Sequence, residues 1–359
     1  MDKITGFEKI RKQVREELRK GKDMLLFAFN ATGKTRLSCS FENNEHIETL
    51  SYNAIVEDYF SWDNEDFTMV LKDSWLFNFI VDEGLENNIA LTFDKFTDER
   101  IEPIIDFKSG KIRFQMCDEN DERKFIKISK GEETLFKWSV FYVALKQVID
   151  ILRDKKENRS TDEFDKLKYV IIDDPMSSLD EFKIYTLSMQ ILDLLTYAHE
   201  KGIKISFLLS THHVMFYNIL FNTLRNRNKD KKEKCIFAIM QKDGKEIVVY
   251  NLNGKNSITY HLKMLNEIKM AFEFNTVKKN HYNMFRSVLE KSSIFLGYSN
   301  WQDMFDGYEN KASLNKIVNM NSHEQYVELE TEYLTKEQID EFKNGFDYFI
   351  KTYKIKLGD

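Results

Sequence analysis

The sequence predicts an α/β fold, a phosphate-loop sheet flanked by helices, followed by a small and mainly α-helical C-terminal domain. Three observations point there. The continuous apolar run Met24–Phe29 passes directly into Asn30, Ala31, Thr32, Gly33, Lys34 and Thr35, as a buried strand does when it enters a tight turn before a helix. A second apolar run, Tyr169–Ile172, ends in two adjacent carboxylates, Asp173 and Asp174. Beyond about Ser257 strand-like runs give way to apolar residues at helical spacing.

The bulk properties fit two soluble domains, residues 1–257 and 258–359. A chain of 359 residues exceeds what a single core usually holds, and 42% hydrophobic with 31% charged residues is an ordinary globular mix. Only two prolines are present, so no Pro-rich linker marks the boundary. Three scattered cysteines, Cys39, Cys117 and Cys235, fit neither a disulfide framework nor a metal knuckle. With no apolar run long enough to cross a bilayer and charges near the start, a cytoplasmic protein without a membrane partner is expected. A net charge of −6 argues against a protein built mainly to coat nucleic acid, so any such contact must use local basic patches.

The first strand delivers a loop that, read from Ala28, matches G-x-x-x-x-G-K-[ST] with alanine in place of the first glycine. Asn30 to Gly33 would wrap phosphates with backbone N–H groups, Lys34 would reach the outer phosphates, and the Thr35 hydroxyl would hold Mg²⁺. Asp173 would complete the Mg²⁺ shell and Asp174 would polarise an attacking water at the strand's C-terminal end. A third strand, Ile205–Thr211, ends in His212 and His213, and a histidine there can sense the γ-phosphate. Ile128–Glu133 opens a long helix through about Leu152, where Ser129, Gly131 and Glu132 would present free N–H groups to an anion. Asp180, in PMSSLD after the carboxylate pair, belongs to the same nucleotide-binding set.

These four elements, in this order, resemble the ABC ATPase superfamily: Walker A, signature, Walker B with its D-loop, and the H-loop histidine. The resemblance implies an ABC-type head with an antiparallel β subdomain, using ATP or GTP with Mg²⁺. It also implies a head-to-tail dimer or larger homo-oligomer, because the signature of one subunit closes the Walker A site of another. Asp174 stands where the family has a glutamate, which suggests slow, regulatory hydrolysis. Only about ninety residues separate Thr35 from Ile128, with no heptads, so the long coiled coil of SMC-like relatives is missing. Gln115 falls where a Q-loop could lie, and nothing local fixes it.

In the C-terminal part Arg286 and Glu290 are four apart and share a helix face; SLNKIVNM reads as a further short helix, followed by His323. Chemistry alone favours an ordinary ion pair. However, LLFAFNATGKTRLS, SYNAIVEDYFSWDN, IIDDPMSSLD and STHH together resemble the PrrC-type bacterial anticodon nucleases. In that family R-x-x-x-E, followed some thirty residues later by histidine, carries RNA cleavage, a pattern on which Arg286, Glu290 and His323 fall. The resemblance implies metal-free cleavage in a tRNA anticodon loop, leaving 2′,3′-cyclic phosphate and 5′-OH ends. It further implies a phage-defence toxin silenced by a type I restriction-modification complex, with GTP hydrolysis and thymidine-nucleotide binding. Nothing in Ala28–Thr35 selects a base, so ATP and GTP both stay open. Between Lys263 and Lys291 basic residues alternate with Phe272, Phe274, His281 and Tyr282, which either stack on RNA bases or form the helices' buried face. The rival reading is an ABC-type defence or repair ATPase with a separate effector protein.

Overall fold

The computed structural model describes residues 3–29, 31–41, 47–53, 58–97, 101–106, 109–117, 123–176, 179–229, 235–243, 246–251, 260–320 and 334–357. It divides into two units, Met1–Ser257 and Ile258–Asp359. Asn30 and His323 lie outside the described residues.

The first unit begins with β1 (Lys3–Thr5), α1 (Phe7–Arg19), β2 (Asp23–Ala28), α2 (Lys34–Cys39), β3 (Thr49–Tyr52), β4 (Phe60–Asp63) and β5 (Thr68–Leu71). There follow α3 (Trp75–Glu83), α4 (Glu86–Asp94), β6 (Ile101–Asp106), β7 (Lys111–Cys117), β8 (Arg123–Ile126) and α5 (Lys130–Arg153). It ends with β9 (Tyr169–Asp173), α6 (Glu181–Glu200), β10 (Ser206–Thr211), α7 (Val214–Lys229), β11 (Cys235–Asp243) and β12 (Glu246–Asn251). The main sheet has seven strands in the order β1-β12-β11-β2-β10-β9-β3. From β11 to β3 the neighbours are parallel, and β12 and β1 close the other edge antiparallel.

Every residue of β2, β9 and β10 is buried, as parallel strands covered on both faces must be. Alternation sorts their side chains. Met24, Leu26 and Ala28 pack with Ile10, Val14 and Leu18 of α1 and with Tyr169, Ile171 and Leu208, while Phe27 meets Tyr217 of α7 edge to face at 5.6 Å. The first strand therefore spans Asp23–Ala28, one residue earlier than the apolar run suggested. Asp23 is held inside because its Oδ1 accepts from Phe207 N at 2.8 Å.

A second, antiparallel sheet runs β4-β5-β7-β6, with β8 paired to β7. Its Phe114 touches Phe93 of α4 at 5.9 Å and Phe136 of α5 at 5.0 Å between ring centroids, and Phe93 meets Phe136 at 5.4 Å. This aromatic knot ties the start of α5 to the antiparallel sheet, and edge-to-face geometry adds to the burial of each ring.

The second unit contains α8 (Tyr260–Glu273), α9 (Lys279–Leu296), a 3₁₀ turn at Trp301–Phe305, α10 (Lys311–Met320) and α11 (Lys336–Thr352). Phe342, Phe346 and Phe349 line one face of α11 and pack with Tyr282, Phe285 and Leu289 of α9 and Leu314 of α10. Tyr282 stacks on Phe342 at 4.0 Å. A Cβ on Gly345 would lie 2.5 Å from Leu314 Cδ1, so glycine lets α10 and α11 approach. The α/β fold with a helical C-terminal unit is thus the one expected from the sequence.

Candidate active sites

The parallel strands bring the first cluster together at their C-terminal ends, where open α/β sheets bind ligands. After β2 the chain turns with Ala31 at φ 58° and Gly33 at φ 95°. Two left-handed positions flanking Thr32 curl the backbone into the kind of nest that gathers N–H groups around an anion. Thr32 fixes the turn by donating its hydroxyl to Phe29 O at 2.6 Å. Ala28, standing for the usual glycine, is still a ladder residue opposite Met240, and it is fully buried.

Asp173 is the last residue of β9 and shares a sheet face with Ile171, the face on which α2 packs. It therefore meets Thr35, whose Oγ1 lies 3.1 Å from Asp173 Oδ2. Ser210 is its register partner on β10 and donates to Asp173 Oδ1 at 2.6 Å. Burial pushes the Asp173 carboxyl above its ordinary value; the Ser210 hydrogen bond opposes this and the Asp174 charge adds to it. Asp174 leaves the strand in the left-handed region, at φ 48°, which is uncommon and costly for a non-glycine residue. That turn aims its carboxylate at Lys34, with which it forms an ion pair, and at His212. The backbone N–H of His212 donates to Asp174 Oδ1 at 2.9 Å, and its Nδ1 lies 2.8 Å from Oδ2. Burial would raise the Asp174 carboxyl, but Lys34 and His212 hold it below the usual carboxylate value.

Of the two histidines ending β10, His212 joins the cluster. His213 instead receives the N–H of Phe216 in the first turn of α7, at 3.5 Å. Ser210 lay inside a strand quoted for its histidines, and its polar side chain in an otherwise apolar run was the signal available.

Ser129, Gly131 and Glu132 open α5, and the N–H groups of Ser129 and Glu132 are engaged with each other's side chains. Ser129 Oγ accepts from Glu132 N at 3.3 Å and Glu132 Oε2 accepts from Ser129 N at 2.6 Å. This capping box satisfies two of the N–H groups expected to face an anion. Asp180 caps α6, accepting from Lys183 N at 2.9 Å, so its side chain has a helix-starting task. Gln115 sits within β7 and donates to Glu102 across the β6–β7 pair at 2.7 Å.

In the second unit Arg286 Nε donates to Glu290 Oε1 at 2.8 Å across one turn of α9. Arg286 Nη1 donates to Asn319 Oδ1 on α10 at 3.2 Å. Asn319 was not singled out from sequence, because the contact spans 33 positions. The aromatics read as candidate base-stackers are mostly structural. Tyr282 and His281 are buried and Phe272 packs on the core, while Phe274 is exposed. Phe272, His281 and Tyr282 occupy the inward positions of amphipathic helices. His281 Nδ1 accepts the N–H of Lys278 at 2.9 Å, closing the start of α9.

Comparison with known proteins adds the decisive observation. The chain is 35% identical to the anticodon nuclease of Escherichia coli, an alignment covering 88% of this chain and 86% of that one. The chain belongs to the PrrC-type anticodon nuclease family. An AAA domain profile also matches residues 100–351, beginning after the phosphate loop and running into the helical unit. A solved structure, an SMC head bound to the C-terminal winged-helix domain of ScpA, aligns with 48% of this chain and 44% of its own at 16% identity and a TM-score of 0.27, too distant to bear on fold or function. Family and AAA domain together support an enzyme that combines nucleotide hydrolysis with nuclease activity, using a nucleotide and Mg²⁺. Among the described residues no helix is long and apolar enough to cross a membrane.

Proposed function

We propose that this chain is a nucleotide-regulated anticodon nuclease that cuts tRNA within the anticodon loop as a phage-defence toxin. Unit Met1–Ser257 would be the nucleotide switch and unit Ile258–Asp359 the nuclease. The observation that carries this reading is the 35% identity over 88% of the chain to an anticodon nuclease, joined to the Arg286–Glu290 pair on α9.

In the switch, Lys34 supplies a point cation for the outer phosphates. Thr35 and Asp173 offer hydroxyl and carboxylate oxygens 3.1 Å apart, a hard donor set that fits Mg²⁺. Bound there, Mg²⁺ would neutralise phosphate charge. Asp174, steered by His212, polarises the attacking water, and ATP and GTP are both substrates to test. A head-to-tail dimer would let Ser129 and Gly131 of one subunit face the nucleotide held by another. Family resemblance further supports a silencing type I restriction-modification partner and a thymidine nucleotide as ligand.

In the nuclease, Glu290 removes the ribose 2′-proton and the Arg286 guanidinium stabilises the phosphorane oxygens. His323, a histidine and so a side-chain type that can carry a proton near neutral pH, protonates the leaving 5′-oxygen. The products are a 2′,3′-cyclic phosphate and a 5′-OH end. The test is to map 5′-OH ends in RNA from cells expressing wild type, Lys34→Ala and His323→Ala. Wild type should yield one dominant end in an anticodon loop. His323→Ala should lose cleavage by several orders of magnitude while its nucleotide turnover stays intact, and Lys34→Ala should lose hydrolysis. Unchanged RNA ends in cells expressing His323→Ala would overturn the assignment.

A further inference from the structure

The exposed face of α9 carries a second feature beyond the cleavage pair. Arg286, Glu290 and Ile294 succeed one another at four-residue spacing in a single row, with Lys291 and Phe295 forming the row beside it. Arg286 is 24% and Glu290 48% exposed at the side chain. Beyond them exposure rises sharply, to 72% for Ile294 and 88% for Phe295. Leu296 and Tyr298 are also exposed. Large apolar groups contiguous at one helix end, with Lys291 one turn before them, are unusual on a soluble surface unless they contact something.

The helix end that presents them is fixed. Gly297 adopts φ 80° and terminates α9, with its N–H donating to Ile294 O at 3.2 Å and that of Tyr298 to Ser293 O at 2.9 Å. Tyr298 is in turn fastened to Tyr353, their hydroxyls 3.3 Å apart, and Tyr353 donates to Met304 O at 2.9 Å. Phe295 thus projects from a rigid terminus and has no part in the core, which uses Tyr282, Phe285, Val288 and Leu289 of the same helix.

We infer that Ile294 and Phe295 form the platform on which the unpaired RNA base beside the cleaved phosphate stacks, with Lys291 on the flanking phosphate. The inference rests on the cleavage reading given above. One helical turn, about 5.4 Å, separates Glu290 from Ile294, comparable with the reach from a phosphate to its own base. Charge and continuity select this occupant: exposed Lys291 lies one turn before Phe295, and Arg286 of the cleavage pair heads the row that ends in Ile294, as a polyanion with splayed bases requires. Tyr282 and His281 of α9 are buried, so within that helix this end supplies the exposed ring.

The experiment uses the full-length chain with nucleotide and the synthetic anticodon stem-loop in which wild-type cleavage maps. Phe295→Ala should raise KM about tenfold, the usual effect of losing one base stack, while kcat, nucleotide turnover and melting temperature stay unchanged. Phe295→Trp should restore KM. Binding measured in the cleavage-dead His323→Ala background should weaken by the same factor. A stem-loop with an abasic site beside the scissile phosphate should bind the double variant Phe295→Ala/His323→Ala no worse than His323→Ala alone, since the stack is then already gone. Equal KM for wild type and Phe295→Ala would overturn the platform and leave the cleavage reading standing, and so would a change in oligomeric state with unaltered RNA affinity. If wild type cleaves no RNA at all, both readings fall.

Discussion

At the scale of single residues, the two sites differ in how they are held. Lys34, Thr35, Asp173, Asp174 and His212 are widely separated in sequence yet converge, because each closes or follows a neighbouring strand or turn of one parallel sheet. They were legible since strand ends and a glycine turn leave local marks. Asn319 left none, as an asparagine near a helix end has many uses, and only tertiary packing brings it to Arg286. We predict that Asn319 is a positioning residue for that guanidinium. A guanidinium set askew loses its aim at the phosphorane oxygens, so Asn319→Ala should lower RNA kcat roughly tenfold or more with nearly unchanged KM. Asn319→Asp keeps the acceptor and should recover most of the rate. Equal kcat in all three proteins would show that Arg286 is held well enough by Glu290.

At the scale of elements, the three strands read from sequence, β2, β9 and β10, match nearly to the residue, because a parallel sheet covered on both faces demands unbroken apolar runs. The start of α5 and the inward face of α9 were harder. Ser129 and Glu132 look alike whether they serve an anion or each other, and the geometry gives the capping box. Aromatics interleaved with lysines look alike whether they stack on RNA or fill a core, and at Tyr282 and His281 the core wins. His281 carries a pH consequence. Burial, chiefly, holds its imidazole below the ordinary histidine value; the Glu267 charge opposes this and the Lys278 charge adds to it. Its Nδ1 must stay unprotonated to accept the Lys278 N–H. Because the unfolded chain takes up the proton more readily, stability is fully present above the unfolded pKa of about 6.5 and falls as pH drops through that value toward the lower folded one. Acidification from pH 7.5 to pH 5.5 (approximately one unit either side of that value) should therefore lower the melting temperature of wild type more than that of His281→Asn, whose amide oxygen can accept the same N–H at either pH. Parallel melting curves for the two proteins would remove His281 from the acid response.

At the scale of the whole molecule, the question is whether one chain completes a nucleotide site. Lys34 opens α2 and Gly131 lies in the first turn of α5, and a head-to-tail dimer would place one subunit's α5 start over the other's Lys34. Each dimer then has two composite sites, each needing a working loop from one chain and a working helix start from the other. Lys34→Ala and Gly131→Arg should each abolish hydrolysis alone. In an equal mixture about half of the dimers are mixed, and each of these regains one of its two sites. The expected turnover is about a quarter of wild type, provided that Gly131→Arg still binds nucleotide, which fluorescence of a labelled analogue would establish. No recovery in the mixture would mean that each chain hydrolyses nucleotide in cis. Recovery near one quarter would require the subunits to meet through these two surfaces, and would make association a precondition for hydrolysis in this family member.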